Sequence, residues 1–134
     1  TWNMCPKQLR LAIEDRLSKG NKPKAIIPVH LYVMPANMKE IIQVAEEFNI
    51  PIIEDAAEAL GSKYDDKACG TFGKFGILSF NGNKIITTSG GGALISDDGE
   101  SIEKARFLST QARDSAPHYQ HSVIGYNYRM SNIA

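Results

Sequence analysis

Apolar residues recur along the first part of the chain at intervals that predict a helix followed by a strand. A stripe spaced by three or four residues follows Pro6 and stops at Gly20, and it comprises Leu9, Ala12, Ile13 and Leu17. Proline suits the first turn of a helix and glycine suits its end. Residues 24–29 then form a nearly continuous apolar run, which predicts a strand covered on both faces, as in a parallel sheet.

The pattern of helix and strand repeats in the next segment. Asn37 is followed three residues later by Glu40, as in a capping box, and apolar residues keep helical spacing as far as Phe48. Residues 50–54 predict the next strand. A strand, a helix and a second strand with short joints form a right-handed crossover, so we predict that the two strands are parallel.

Turn residues and short apolar runs divide the second half of the chain. They predict a turn and two further strands, at residues 64–67, 77–80 and 91–96. Asp97 or Asp98 is predicted to begin a helix that finishes near Arg113. Residues 114–129 are polar and aromatic without a clear period, which is typical of an ordered loop that carries contacts. One α/β unit is the simplest interpretation.

Composition narrows the range of partners. The 134 residues suit one domain, and 15 basic side chains balance 15 acidic ones, so no charged field favours nucleic acid or an anionic membrane. No apolar run approaches the roughly 18 residues of a membrane span, and the first residues carry no signal-peptide pattern. Cys5 and Cys69 lack metal-ligand spacing and are interpreted as free thiols. We expect a cytoplasmic protein whose partners are small molecules or its own copies.

Lys84 is a candidate for covalent chemistry. It stands in a turn directly after the predicted strand at 77–80, flanked by Asn81, Gly82 and Asn83. Partial desolvation at such a place favours the free amine, which can attack a carbonyl group. The alternative is an ordinary loop lysine that faces solvent.

Asp55 directly follows the predicted strand at 50–54, and ligands of open α/β sheets bind at the carboxyl ends of strands. A carboxylate there could keep a proton on a ring nitrogen, which pyridoxal phosphate requires in order to accept electrons. The alternative is that Asp55 caps a short helical turn at residues 56–60.

Four motifs occur together in one order. They are E-D-A-A-E-A-L-G-S at 54–62, G-T-F-G-K-F-G at 70–76, S-F-N-G-N-K-I-I-T-T-S-G-G-G at 79–92 and G-Y-N-Y-R-M-S at 125–131. From Trp2 to its last residue the chain resembles the pyridoxal-phosphate-dependent nucleotide-sugar aminotransferases of the DegT/DnrJ/EryC1/StrS family. The resemblance implies an α/β fold. Residues 1–134 would be the interior part of the large cofactor-binding domain of a fold-type-I aminotransferase, a mostly parallel sheet flanked by helices. The N-terminal phosphate loop and the C-terminal small domain would be absent.

The resemblance also implies roles for individual residues. Lys84 would hold pyridoxal 5'-phosphate covalently and move the proton during amino transfer, and Asp55 would pair with the pyridinium nitrogen. Ser79 would bind the phosphate, although a strand serine bonded to backbone is the alternative. Asn127 would reach the cofactor phosphate of a neighbouring subunit, which implies a homodimer with shared active sites, unless it is only a turn residue.

Two positions depart from the family pattern. Glu58 stands where many relatives carry glutamine near the cofactor's ring hydroxyl, so it is either a cofactor-binding residue of the site wall or the surface of a helical turn. Val33 stands where relatives commonly carry glycine, so the turn there is expected to change.

Further residues are candidates for binding the substrate. His30 is either a site-wall contact or a satisfied core histidine, and His118, Tyr119 and Arg129 could contact the sugar or its diphosphate. A salt bridge beneath the loop would explain Arg129 equally well. His118 and His121 are three residues apart, but no carboxylate or cysteine pattern completes a metal site, so no metal is expected.

The motifs at 79–92 and at 112–121 (A-R-D-S-A-P-H-Y-Q-H) most resemble the subgroup that aminates C4 of UDP-linked 4-keto-6-deoxy-N-acetylhexosamines. The resemblance thus implies an enzyme that moves an amino group, from glutamate, to such a UDP-sugar. The alternative is a non-catalytic structural or regulatory module that kept the fold and lost the pocket. A nucleotide-binding oxidoreductase is disfavoured because no glycine fingerprint for dinucleotides occurs.

Overall fold

A computed structural model describes residues 2–134 of the chain. Its helices are α1 (Pro6–Ser18), α2 (Met38–Glu47) and α3 (Gly99–Ser109). A turn at Leu31–Val33 is closed by a hydrogen bond from the Met34 N–H to the Leu31 carbonyl at 3.1 Å. Its strands are β1 (Ile53–Asp55), β2 (Lys63–Tyr64), β3 (Lys67–Ala68), β4 (Phe75–Ser79) and β5 (Gly92–Ile95).

The first two helices confirm the predictions from apolar spacing and capping residues. α1 has Pro6 in its first turn, and the chain leaves it through Gly20 in the left-handed conformation, at φ +71°. At the start of α2 the Glu40 N–H donates to the Asn37 side chain at 3.4 Å, and the Asn37 amide donates back to the Glu40 carboxylate at 2.7 Å. This reciprocal pair fixes where α2 begins.

α3 begins as predicted but ends earlier. The Asp98 carboxylate caps it by accepting a hydrogen bond from the Ser101 N–H at 3.0 Å. The helix stops at Ser109 rather than near Arg113, because the chain turns through left-handed conformations shortly afterwards, at Gln111 and Ala112. The predicted turn at 64–67 is confirmed as a tight hairpin between β2 and β3.

The central sheet is mixed. β1 and β4 are parallel, β4 and β5 are antiparallel, and the strand order is β1-β4-β5. Residues 24–29 run parallel to β1, as predicted, but form only isolated bridges at Ile26 and Val29. The Asp55 N–H donates to the Pro28 carbonyl at 2.9 Å, whereas Pro28 has no N–H to return. The ladder of backbone hydrogen bonds between residues 24–29 and β1 is therefore interrupted at Pro28.

The two faces of this sheet have different environments. One face packs against α1 and α2 and holds the main core, which comprises Ile13, Ile26, Ala36, Met38, Ile41, Val44, Ala45, Ile50 and Ile52. Side chains on the other face remain exposed within residues 2–134, with Ile27 at 53% and Leu94 at 42% of full exposure. The prediction that the strand at 24–29 is covered on both faces is wrong for the described chain, because its side chains alternate between core and solvent.

The covered face contains a completely buried carboxylate at Glu54. It accepts hydrogen bonds from the His30 ring at 2.9 Å and from the backbone N–H groups of Gly70, Phe72 and Gly73 at 2.5–2.7 Å. An unpaired buried carboxylate would be very costly, but this one has four donors. Glu54 thereby ties residue 30, β1 and the loop before β4 to one point.

Glycines allow that loop to approach so closely. A Cβ at Gly76 would lie 1.9 Å from the carbonyl oxygen of Gly70, and a Cβ at Gly73 would lie 2.6 Å from the carbonyl oxygen of Ile52. A side chain at Gly73 would push the loop away from Ile52, and a side chain at Gly76 would push β4 away from the loop backbone at Gly70. The glycines of the 70–76 motif are thus explained by the approach of its backbone N–H groups to Glu54.

The turn at residues 31–33 holds a strained backbone. Tyr32 and Val33 both have positive φ, at 52° and 68°, a region in which a β-branched residue such as valine is an outlier. The Ser62 hydroxyl donates to the Val33 carbonyl at 2.9 Å, and the Tyr32 N–H donates to Glu58 at 3.0 Å. These contacts hold the turn in a conformation that glycine would adopt freely.

We predict that Glu54→Gln in the full-length protein lowers the free energy of unfolding by about 2–5 kcal/mol, because its amide N–H groups would face backbone donors. Burial raises the pKa of Glu54, but the hydrogen bonds from His30 and the loop outweigh this effect and hold the pKa below its usual range. The Glu54 contribution is therefore present above the unfolded-state pKa of about 4.3 and is lost as the pH falls through the folded-state pKa. Urea unfolding at several pH values measures both effects. Glu46→Gln, on the exposed side of α2, is the matched control, and equal losses in the two variants would contradict the prediction.

We also predict that Val33→Gly raises the free energy of unfolding by about 1 kcal/mol, because glycine relieves the positive φ at some cost in chain entropy. Val33→Ala removes the same exposed methyl groups but keeps a Cβ, so it is expected to give no such gain. Thermal unfolding of both variants measures the difference. An alanine variant as stable as the glycine variant would show that φ is not the cause.

Candidate active site

Two of the predicted residues share the open face of the sheet at its carboxyl edge. Asp55 is the last residue of β1 and lies opposite Ile77 in the parallel register. Ser79 ends β4 two residues further on, so its side chain lies on the same face as those of Asp55 and Ile77. Glu54, next to Asp55 in sequence, faces the core on the other side. Lys84 follows in the turn after β4, at the same edge.

Lys84 faces inward rather than into solvent. Its side chain is 17% exposed, whereas its neighbours Asn83 and Ile85 are exposed. The Lys84 N–H donates to the Asn81 carbonyl at 3.0 Å, which fixes the turn, and Nζ lies 3.4 Å from Oε1 of Glu58. The alternative of a solvent-facing loop lysine is therefore disfavoured.

Glu58 is held by two contacts. Its Oε2 accepts the Tyr32 N–H at 3.0 Å, and its Oε1 contacts the Lys84 ammonium. The hydrogen bond from Tyr32 is the main reason that the pKa of Glu58 lies below its usual value; burial raises this pKa, and Lys84 lowers it further. A pocket of about 260 Å³ surrounds the pair and is lined by Tyr32, Val33, Glu58, Asn83, Lys84 and Ile85.

Asp55 and Ser79 keep hydrogen-bonding capacity for a ligand. Oδ1 of Asp55 accepts the Ala57 N–H at 3.1 Å, as the capping alternative predicts, although residues 56–60 form turns rather than a helix. Among the hydrogen bonds of residues 2–134, Oδ2 of Asp55 is not used. The Ser79 Oγ accepts the Asn81 N–H at 3.4 Å, so its own O–H remains a donor.

His30 does not belong to the accessible site, which corrects the prediction that it binds substrate. It is completely buried, and both ring nitrogens are occupied. The Ala36 N–H donates to Nδ1 at 3.0 Å, so Nε2 carries the hydrogen and donates to Glu54 at 2.9 Å. The alternative of a satisfied core histidine is the one that the structure supports.

The other predicted contact residues lie elsewhere, and none of them lines the Lys84 pocket. His118 and Tyr119 are exposed, and the guanidinium of Arg113 lies 4.3 Å from the Tyr119 ring centre. Arg129 borders a larger open cavity of about 670 Å³ along β5, and the Asn127 backbone pairs with that of Thr110. Substrate binding by His118, Tyr119 and Arg129, and the role of Asn127 across a dimer, stay predictions.

Two functional features were not found from the sequence, namely the Glu54 anchor and the Tyr32 N–H that orients Glu58. The first had a signal, because Glu54 opens the 54–62 motif beside Asp55 and a long glycine-rich motif follows. A backbone N–H has no sequence signal, and the strained turn that presents it could not be predicted from valine at position 33. Both cysteines, Cys5 and Cys69, are free thiols.

The described chain has neither a membrane-spanning helix nor a candidate metal cluster. None of its helices is long and apolar enough to cross a bilayer. Over residues 2–134, no three His, Cys, Asp or Glu side chains form a group that could hold a metal ion.

Comparison with known proteins matches the whole chain to one family. EpsN of Bacillus subtilis (strain 168), whose name proposes a pyridoxal phosphate-dependent aminotransferase, is 59% identical over 133 residues, which cover 99% of this chain and 34% of EpsN. GDP-perosamine synthase of Escherichia coli O157:H7 is 44% identical over 133 residues, which cover 99% of this chain and 35% of that protein.

A solved structure extends the match to the fold. The crystal structure of a DegT DnrJ EryC1 StrS aminotransferase from Brucella abortus superimposes with a TM-score of 0.89 at 36% identity, over 98% of this chain and 36% of that one. The chain thus spans about a third of the length of the relatives it matches. The profile of the DegT/DnrJ/EryC1/StrS aminotransferase family covers residues 1–134, and the chain belongs to this family.

Proposed function

We propose that the full-length protein is a pyridoxal-phosphate-dependent aminotransferase that acts on a nucleotide sugar. The observation that carries the proposal is the inward-facing Lys84 amine, which lies at the sheet edge where Asp55 and Ser79 also end their strands. Family membership supports the same chemistry. We further propose that residues 1–134 are an interior part of a larger cofactor-binding domain.

The polar side chains at this edge of the sheet fit the cofactor. Pyridoxal phosphate carries an aldehyde, a basic ring nitrogen and a phosphate, which suit an amine, a carboxylate and a hydroxyl donor respectively. Lys84, Asp55 and Ser79 supply these three groups, and Asp55 and Ser79 each keep an unused hydrogen-bonding position. When bound, the cofactor supplies an electron sink for the carbon that gains or loses a proton.

Each residue then has a distinct task. Lys84 would anchor the cofactor through Nζ and, once released, carry a proton to and from the reacting carbon as a general base. Oδ2 of Asp55 would accept a hydrogen bond from the protonated ring nitrogen and stabilise its charge. Ser79 would donate its hydroxyl to the phosphate, and Glu58 would form the site wall beside Lys84. The strand ends hold Asp55 and Ser79 in place, so little reorganisation is needed.

We propose a UDP-linked 4-keto-6-deoxy sugar as the amino acceptor, aminated at C4, and glutamate as the donor. The motifs at 79–92 and 112–121 support this choice within the family. The E. coli relative is named for a GDP-linked sugar, which supports a nucleotide sugar as the broader class. His118, Tyr119 and Arg129 are proposed to contact the sugar or diphosphate. Asn127 is proposed to complete the neighbouring site of a cytoplasmic homodimer.

Titration of the full-length protein with pyridoxal phosphate tests the chemistry. We predict a visible absorption band from covalently bound cofactor in the wild type and its loss in Lys84→Ala, because among residues 2–134 Lys84 is the lysine that lines this pocket. Lys63→Ala, in the exposed hairpin strand β2, is the control and should keep the band. Failure of the wild type to bind would instead favour the non-catalytic module, and an unchanged band in Lys84→Ala would exclude Lys84 as the anchor.

A panel of acceptors tests the substrate. With glutamate as donor, we predict that amination of the UDP-linked 4-keto-6-deoxy sugar exceeds that of its GDP-linked counterpart by at least about tenfold in kcat/KM, or roughly 1.4 kcal/mol. Mass spectrometry and NMR of the product identify the aminated carbon. A preference for the GDP-linked sugar, or amination at a carbon other than C4, would refute this substrate while leaving the aminotransferase proposal intact.

A further inference from the structure

We propose that Glu58 is the counter-ion of Lys84 in the cofactor-free protein and sets the pH range over which the Lys84 amine becomes reactive toward a carbonyl group. The inference rests on the proposed function for its biological meaning, but its chemistry concerns two side chains of this chain alone. It assigns Glu58 the task of a positioning residue, which acts on the reaction through Lys84.

The first support is the geometry of the pair. Nζ of Lys84 lies 3.4 Å from Oε1 of Glu58, and the two side chains are only 17% and 33% exposed. At this separation a carboxylate favours the protonated amine, and partial burial keeps the interaction stronger than that of a surface pair. Lys84 must lose a proton before its nitrogen can attack a carbonyl carbon, so Glu58 opposes that loss.

The second support is the orientation of the Glu58 side chain. Its other oxygen accepts the Tyr32 N–H at 3.0 Å, so one carboxylate joins the turn at 31–33 to Lys84. The backbone on either side is anchored by Ala56 and Ala59, which are both completely buried. Glu58 is therefore directed at Lys84 by the fold rather than by the attraction between the charges alone.

The third support is the absence of a competing charge in the pocket. Of the described residues that line it, Tyr32 is the one other titratable group, and Val33, Asn83 and Ile85 carry no charge. His30 lies close in sequence, but it is buried on the core side and bonded to Glu54. Asp55 stands at the end of β1 outside this lining and uses one oxygen to cap the turn at Ala57. Glu58 is thus the carboxylate whose removal should change the behaviour of Lys84.

Competitive trace labelling of the cofactor-free full-length protein with acetic anhydride tests this inference. The reagent acylates only unprotonated amines: the nitrogen attacks a carbonyl carbon, acetate leaves, and the nitrogen releases its proton to water. Peptide mass spectrometry at a series of pH values gives a midpoint for each lysine. In Glu58→Gln, which keeps the shape and an acceptor for Tyr32, we expect the Lys84 midpoint to fall by about half to one pH unit. Below the midpoint, labelling becomes about three to ten times faster.

Lys74 provides an internal control in the same samples. Its Nζ also lies 3.4 Å from a carboxylate, that of Asp98, but the lysine is 51% exposed. Lys74 should keep its midpoint in Glu58→Gln, and Asp98→Asn, which keeps a helix-capping side chain, should leave Lys84 unchanged. An unchanged or higher Lys84 midpoint in Glu58→Gln would overturn the inference, as would an equal shift at Lys84 in Asp98→Asn.

The labelling experiment and the pyridoxal phosphate titration together separate this inference from the proposed function. A protein that binds no pyridoxal phosphate but shows the Lys84 shift would support the role given to Glu58 and contradict the proposed enzymatic function. A protein that binds the cofactor through Lys84 without the shift would support the proposed enzymatic function and contradict the role given to Glu58.

Discussion

The buried carboxylate of Glu54 is the constraint on which the candidate site depends. A charge removed from water is tolerated only where donors surround it, and here the donors come from His30 and from the glycine-rich loop that leads into β4. Those segments are far apart in sequence, so the carboxylate fixes their relative positions. The side chain of the next residue, Asp55, points to the opposite face of the strand. Its position is fixed by the same contacts because the two residues are adjacent in β1. The buried carboxylate of Glu54 and that of Asp55, the proposed partner of the ring nitrogen, thus belong to adjacent residues on opposite faces of one strand.

Local patterns were enough to predict most of the scaffold. Proline and glycine marked the ends of α1, the Asn37 and Glu40 pair marked the start of α2, and the crossover rule gave the parallel direction of the first strands. The environment of each strand face could not be predicted in this way. An apolar run such as residues 24–29 looks the same whether one or both faces are covered, because coverage depends on segments distant in sequence.

The candidate site could be predicted only in part, because the direction of a side chain also depends on segments distant in sequence. Lys84 and Asp55 stand where strands end, a position that sequence alone can locate, and the structure brings both to one edge of the sheet. His30 was ambiguous because a histidine after a strand can face either the ligand or the core. Its direction is decided by Glu54 and by the Ala36 N–H, two partners that no local pattern connects to it.

Two lysine–carboxylate pairs with the same separation show why burial matters. Lys84 with Glu58 and Lys74 with Asp98 have the same 3.4 Å contact, but the Lys74 side chain is three times as exposed. Water and salt screen the exposed pair more strongly, so the attraction between its charges is weaker. The pair in the pocket has less water, and its carboxylate is held from behind by a backbone N–H. The pair of Lys74 and Asp98 is therefore a surface contact. The attraction between Glu58 and Lys84, by contrast, controls whether the Lys84 amine can react.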